Sequence, residues 1–161
     1  MINDTLLKMI ENEALLFKSI MHGIAHWRTV ERNGLYIAQF TNADPKVVSY
    51  FSYFHDFKRE NEYEDPEHGP RAAKYLKEHR NILDLTDEQF DSLFHAVAGH
   101  THGRKHINDT VSTCWDADRL DIGRCGFRPK SEFLFSEEAK RIADENDEKV
   151  LVQFGFVNEI Y

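Results

Sequence analysis

Residues 54–73 read FHDFKRENEYEDPEHGPRAA, and this passage sets how the chain on either side of it is read. Upstream, Asp44-Pro45 starts a helix: Asp supplies the cap, and Pro at the first helical position lacks an N–H that would have no partner there anyway. Val47, Val48, Phe51 and Phe54 then mark its buried side. The same three- to four-residue spacing runs on into His55, which therefore faces inward or lines a cleft, and Asp56 sets a carboxylate about 100° further round. After this pair the chain turns acidic and carries Pro66 and Pro70, so it reads as a loop that returns to helix near Asp65-Pro66 and continues through RAAKYLKEHRNIL. Where a helix ends and its backbone loosens, adjacent imidazole and carboxylate groups can converge on one metal ion. A core histidine beside a helix-capping aspartate leaves the same dipeptide, so the pair alone decides nothing.

Working outward, the periodicity is helical nearly throughout. Asn3 and Asp4 cap a first helix predicted to run to about Met21, with Leu6, Leu7, Ile10, Ala14, Leu15 and Phe17 as its apolar stripe. A second helix is predicted from His22 to about Phe40. Thr86-Asp87-Glu88 begins another, burying Phe90, Leu93, Phe94 and Val97, after which THGRKHIND is polar and irregular. The next spans about Asp109 to Arg124. Beyond Gly126, RPKSEF reads as extended or loop, and Ser136-Glu137-Glu138 caps a short helix to about Ala143. The tail VLVQFGFV, rich in β-branched and aromatic residues, reads as a strand or packed extended segment. The expected fold is all-α, a bundle of about six or seven helices with a short extended C-terminal segment, in one domain spanning 1–161.

Composition narrows the functional classes. With 161 residues, 41% of them hydrophobic and 12 phenylalanines, the chain has material for one core. A formal charge of −8 and a pI near 5.6 argue against a broad basic grip on nucleic acid or an anionic membrane, while a small phosphorylated ligand needs only a few local cations. No run approaches the ~18 apolar residues of a membrane span, and charged residues interrupt positions 1–20 where a signal peptide would be apolar, so a cytoplasmic location is expected. Cys114 and Cys125 form no C-x-x-C motif and are expected to be reduced thiols.

Nine histidines are unusual for this length, and several fall where the pattern calls for apolar residues. In HGIAHWRTV, His22 and His26 are four apart on one helical face that Val30 extends; the spacing suits either a metal clamp or core histidines bonded to backbone. CWDADRLD crowds three aspartates into six residues. Val111, Cys114/Trp115, Asp118 and Ile122 follow a core stripe, so Asp118 stands where an apolar side chain is expected, and a carboxylate there is costly unless a cation or metal pairs with it. Asp116 and Asp121 are expected to point to solvent or pair with Arg119 and Arg124. Asp118 is the chosen ligand and Asp116 the fallback.

Taken together, His26, then His55-Asp56, then Asp118 followed by Arg-Leu, resemble the H...HD...D order of the HD-domain superfamily of metal-dependent phosphohydrolases. HWRTV is similar to its H-x-x-x-V helix, and residues 54–73 to its HD loop followed by an HG-x-x-AA helix. The CWDADRLDIGR block further resembles a small bacterial subgroup of the superfamily. The resemblance covers about His22 to Arg124. It implies an all-α fold with ligands on separate helices, and hydrolysis of a nucleotide or other small phosphoester.

Two imidazoles and two carboxylates, from His26, His55, Asp56 and Asp118, leave open positions on a divalent ion such as Mn²⁺, Fe²⁺, Mg²⁺, Zn²⁺ or Co²⁺. A bound water would be acidified and a phosphoryl oxygen polarised. Arg59 is the cation nearest the ligand pair in sequence and is assigned both a catalytic and a substrate-binding role; Arg71, Arg104 and Arg119 are further substrate-binding candidates, with Lys58 and Lys105 behind them. His68 and His100 occupy roughly the place where binuclear HD proteins carry extra histidines for a second metal. One ion is the preferred reading, with His68 and His100 binding phosphate or transferring protons; two ions are the alternative, and His95 and His102 compete with His100. Glu60 is a general-base candidate, while His79 and His106 are assigned to surface or loop. Competing functions are an HD-type diiron oxygenase and a nonenzymatic nucleotide sensor. Oligomeric state is left open.

Overall fold

The computed structural model describes residues 1–145. Its α-helices are α1 (Asp4–Glu13), α2 (Ile24–Ile37), α3 (Pro45–Phe54), α4 (His68–Glu78), α5 (Asp87–Gly99), α6 (Asp109–Leu120) and α7 (Glu137–Glu145). Short 3-10 turns lie at Arg80–Ile82, Asp121–Cys125 and Ser131–Phe133. Among the described residues there is no strand, and the fold is all-α as expected. VLVQFGFV lies outside the described residues.

Local chemistry places most helix starts where the sequence predicts them. The Asn3 side chain accepts from the Leu6 amide, Asp44 from the amides of Lys46 and Val47, and Asn108 from those of Thr110 and Val111. Thr86 and Gln89 form a reciprocal capping box. Three boundaries differ. α1 stops at Glu13 rather than near Met21: Ala14 takes an extended backbone, and further on Ser19 Oγ accepts from the amides of Met21 and His22 in a turn. Leu15, assigned to the buried stripe, is 75% exposed as a result. α4 begins at His68 rather than at Asp65-Pro66: Asp65 Oδ2 accepts from the Glu60 amide and Arg71 and bends the loop instead of capping the helix. The helix predicted to reach Arg124 is α-helical only to Leu120 and then tightens into the 3-10 turn.

α2 packs on α3 and α6, α4 packs on α5, and α5 closes the bundle against α3 and α6. Trp27, Val30, Val47, Val48, Phe51, Phe54, Leu93, Val97 and Val111 fill the centre. A smaller cluster, Ile37, Leu120, Leu134, Ala139 and Ile142, seats α7. α2 can lie close to both its neighbours because Gly34 has no side chain: a Cβ there would collide with Val48 and sit 3.3 Å from the Ala117 methyl. No described helix is long and apolar enough to cross a membrane.

Five helix segments meet at one place. α3 ends into His55 and Asp56, α5 ends into His100, α4 starts with His68, α2 carries His26 in its first turn, and α6 carries Asp118 in its last.

Candidate metal centre

His26 and His55 point their Nε2 atoms at each other across 3.0 Å, and Asp118 Oδ1 lies 3.3 Å and 3.8 Å from those two nitrogens. A second group faces it: the Nε2 atoms of His68 and His100 are 2.8 Å apart, and Asp56 Oδ1 lies 3.1 Å and 3.7 Å from them. Asp56 belongs to both. Its other oxygen, Oδ2, is 3.9 Å from His26 Nε2 and 3.7 Å from His55 Nε2, so one carboxylate stands between two histidine pairs. The four imidazoles and Asp56 are buried; Asp118 is 19% exposed and opens the centre to the pocket beyond.

The far side of each ring settles its tautomer. His26 Nδ1 donates to Asp121 Oδ2 at 2.6 Å, His55 Nδ1 to the Ser52 carbonyl at 3.0 Å, His100 Nδ1 to the Val97 carbonyl at 2.8 Å, and His68 Nδ1 to the Asp65 carbonyl. A carboxylate or carbonyl only accepts, so each Nδ1 carries a proton and each Nε2 of a neutral ring presents a lone pair inward. Four lone pairs and two carboxylates therefore converge in a buried volume, a donor set that fits cations, and the outward hydrogen bonds are of the kind that orient metal-binding histidines. Electrostatics agree. Burial pushes His55 down to about 3 and keeps it neutral. Burial also opposes charge on Asp56 and Asp118, but their histidine neighbours, and Arg124 for Asp118, hold both far below the usual carboxylate range. His26 and His100 are raised despite burial by the carboxylates they face.

Gly69 explains the tight approach of α4. A Cβ there would meet the Val97 carbonyl at 2.7 Å and the His100 ring at 3.2 Å, so the glycine after His68 lets the two rings close up. Ala72 and Ala73, one turn on, are also buried on the helix that packs on α5.

Several expectations are corrected by the geometry. Asp116 and Asp121 do not point to solvent; both are buried. Asp116 accepts from the backbone amides of Phe135 and Ser136 at 2.7 Å and 2.8 Å and anchors the approach to α7, which removes it as a fallback ligand. Asp121 holds His26, and Arg124 Nη1 lies 3.7 Å from it, as the expected pairing requires. The spacing of three residues between Asp118 and Asp121 was the available signal for their shared side. His22 lies before α2 and is no clamp with His26; its Nδ1 is 3.1 Å from Asp56 Oδ2. His100, not exposed His95 or His102, joins the centre. His79 stacks on Tyr75 and His106 packs edge-on against Trp115, both outside it.

The centre opens on a cavity of about 720 Å³. Arg59, Arg104 and Arg119, the substrate-binding candidates from the sequence, line it together with Arg124, Arg128 and Lys130. Arg59 lies against the His68 ring, Nη1 3.2 Å from Nδ1, and donates to the Asn61 and Tyr63 carbonyls. Arg71 is outside: it donates to the Lys58 carbonyl and to Asp65, and so fixes the loop rather than a substrate. Lys58 is held by Glu13 over the rings of Phe57 and Tyr75, and Glu60 is exposed beside Arg71; neither lines this cavity.

No protein-family model matches the sequence, and no curated protein does. The crystal structure of a predicted HD superfamily hydrolase from an uncultured Thermotogales bacterium is similar in fold, with a TM-score of 0.70 over 94% of this chain and 87% of that one, at 21% sequence identity. This chain has the fold of that HD superfamily structure.

Proposed function

We propose that the chain is a metal-dependent phosphohydrolase of the HD superfamily, acting on a nucleotide or other small phosphate ester. The observation that carries this reading is the convergence of four inward Nε2 atoms and two carboxylates at the base of a cavity rimmed by cations. His26, His55, Asp118 and Asp56 Oδ2 would hold one divalent ion, and His68, His100 and Asp56 Oδ1 a second. This two-ion reading replaces the single ion expected from sequence, and makes His68 and His100 ligands rather than proton carriers. Two imidazoles per ion suit Mn²⁺, Fe²⁺, Co²⁺ or Zn²⁺ better than Mg²⁺. Bound there, the ions would acidify a water and draw charge from a phosphoryl oxygen.

The protein's own groups do the rest. Asp121, Ser52, Val97 and Asp65 keep the four rings in one tautomer, and His22 fixes the rotation of the Asp56 carboxylate. Arg59 and Arg124 stand beside the two ligand groups and offset the charge of a bound phosphate.

The deciding experiment is a screen of phosphorylated metabolites with Mn²⁺, Fe²⁺, Co²⁺, Zn²⁺ and Mg²⁺ each supplied separately to metal-stripped protein. Release of phosphate with at least one ion is expected; none from any substrate with any ion overturns the proposal. The histidine-rich second group favours a second reading, a diiron oxygenase. Two tightly held irons per chain with no phosphatase activity would establish that alternative. The cationic cavity favours the phosphoester.

A further inference from the structure

The cations around the cavity fall into two sets. Arg59 and Arg124 belong to the metal end, each within 4.0 Å of a metal-facing carboxylate. Arg104 and Arg128 line the same cavity, yet among the described residues neither forms an ion pair, and neighbouring Lys130 meets only exposed Glu132 at 4.0 Å. On a protein carrying −8, two exposed arginines without an ion pair in the lining of one cavity leave local positive charge at its lip.

Arg119 links this lip to the fold. Its guanidinium spends its hydrogen bonds on two backbone carbonyls, Gly103 and Phe133, and ties together the turns that bear Arg104 and Lys130. No carboxylate lies within ion-pair distance of it among the described residues. The same cavity is also lined by apolar side chains: Phe127 and Phe133, 65% and 45% exposed, and Ile122.

We infer that Arg104 and Arg128 form a second anion subsite, so that the substrate is a phosphate ester whose apolar or flat skeleton carries another acidic group at its far end. The inference rests on the phosphohydrolase reading for the near end. A cavity that holds one set of cations beside the metal-facing carboxylates and a second set apart from them, with apolar side chains in its lining, selects a molecule with two anionic groups, because a monoanion gains from one set only.

The test uses the metal-loaded chain and nonhydrolysable probes in a calorimeter: methylphosphonate, and α,ω-alkane bisphosphonates from the methylene to the hexamethylene compound. A bisphosphonate of intermediate or long spacer should bind about tenfold or more tighter than methylphosphonate. In the Arg104→Ala/Arg128→Ala double variant that ratio should collapse to about one. Both residues are exposed, so the variant keeps its fold. A gain confined to the methylene compound reflects two phosphonates on the ions and overturns the subsite. So does a gain absent at every length, or one retained in the double variant. If methylphosphonate does not bind the metal-loaded chain at all, the phosphohydrolase reading falls, and the subsite falls with it.

Discussion

His26 Nδ1 donates to Asp121 Oδ2 across 2.6 Å and 95 positions of sequence, and this contact decides which nitrogen of His26 faces the centre. Asp121→Ala leaves the ring free to rotate and to move its proton to Nε2. Metal affinity, read by chelator competition, should fall about 10- to 100-fold. Asp118→Ala should lose the ion and activity together. Asp116→Ala should keep the metal and instead destabilise the chain by about 1–3 kcal/mol, since it strands the buried Ser136 amide and the half-buried Phe135 amide. Loss of metal in the Asp116 variant with an unchanged melting temperature would reverse these assignments.

The split of Asp56 between two histidine pairs predicts metal stoichiometry. Metal analysis of dialysed protein should give two ions per chain in the wild type, and one in either His55→Ala or His100→Ala. Asp56→Ala should retain neither tightly, because it removes an oxygen from both groups. One ion per chain in the wild type and in His100→Ala would restore the single-ion centre.

What the sequence made legible was local. Asn3, Asp44 and Thr86 cap helices through atoms two or three residues away, and the stripe Val47, Val48, Phe51, Phe54 runs on into His55 within one helix. The roles of Asp116 and Asp121 were not legible, because their partners lie 19 or more residues away and helical phase says only which side a residue takes. Arg104 was among the sequence candidates, but the rest of the cationic lip escaped for a related reason. Residues 126–134 have no period from which Arg128 or Lys130 can be assigned a direction, and the bond from Arg119 to the Phe133 carbonyl spans 14 positions. The early end of α1 comes at Ala14, whose extended backbone an apolar stripe does not reveal.

Arg59 contacts the centre without belonging to either ligand group. Its guanidinium stays fixed by the Asn61 and Tyr63 carbonyls, with Nη1 3.9 Å from Asp56 Oδ1. Arg59→Ala should therefore leave the metal content at the wild-type value and lower kcat with the best substrate of the screen by about 10²-fold. Equal loss of metal and activity would mean that Arg59 supports the ligands rather than the phosphate.

Asp44 gives a pH dependence away from the centre. Its carboxylate accepts from Gln89 at 2.7 Å and from the amides that begin α3, the helix that delivers His55 and Asp56. Burial alone would raise its pKa, but the bonds from Gln89, Lys46 and Val47 outweigh burial and hold it below the ordinary value. A carboxylate lowered in the folded state stabilises the fold fully above its unfolded pKa, and that contribution is lost as pH falls through the folded pKa. Near neutrality Asp44→Ala should cost about 1 kcal/mol in urea unfolding. Below about pH 4 the gap between variant and wild type should narrow as the wild-type carboxylate takes up its proton. A gap that is constant from neutral to acid pH would show that Asp44 acts through packing rather than through its charge.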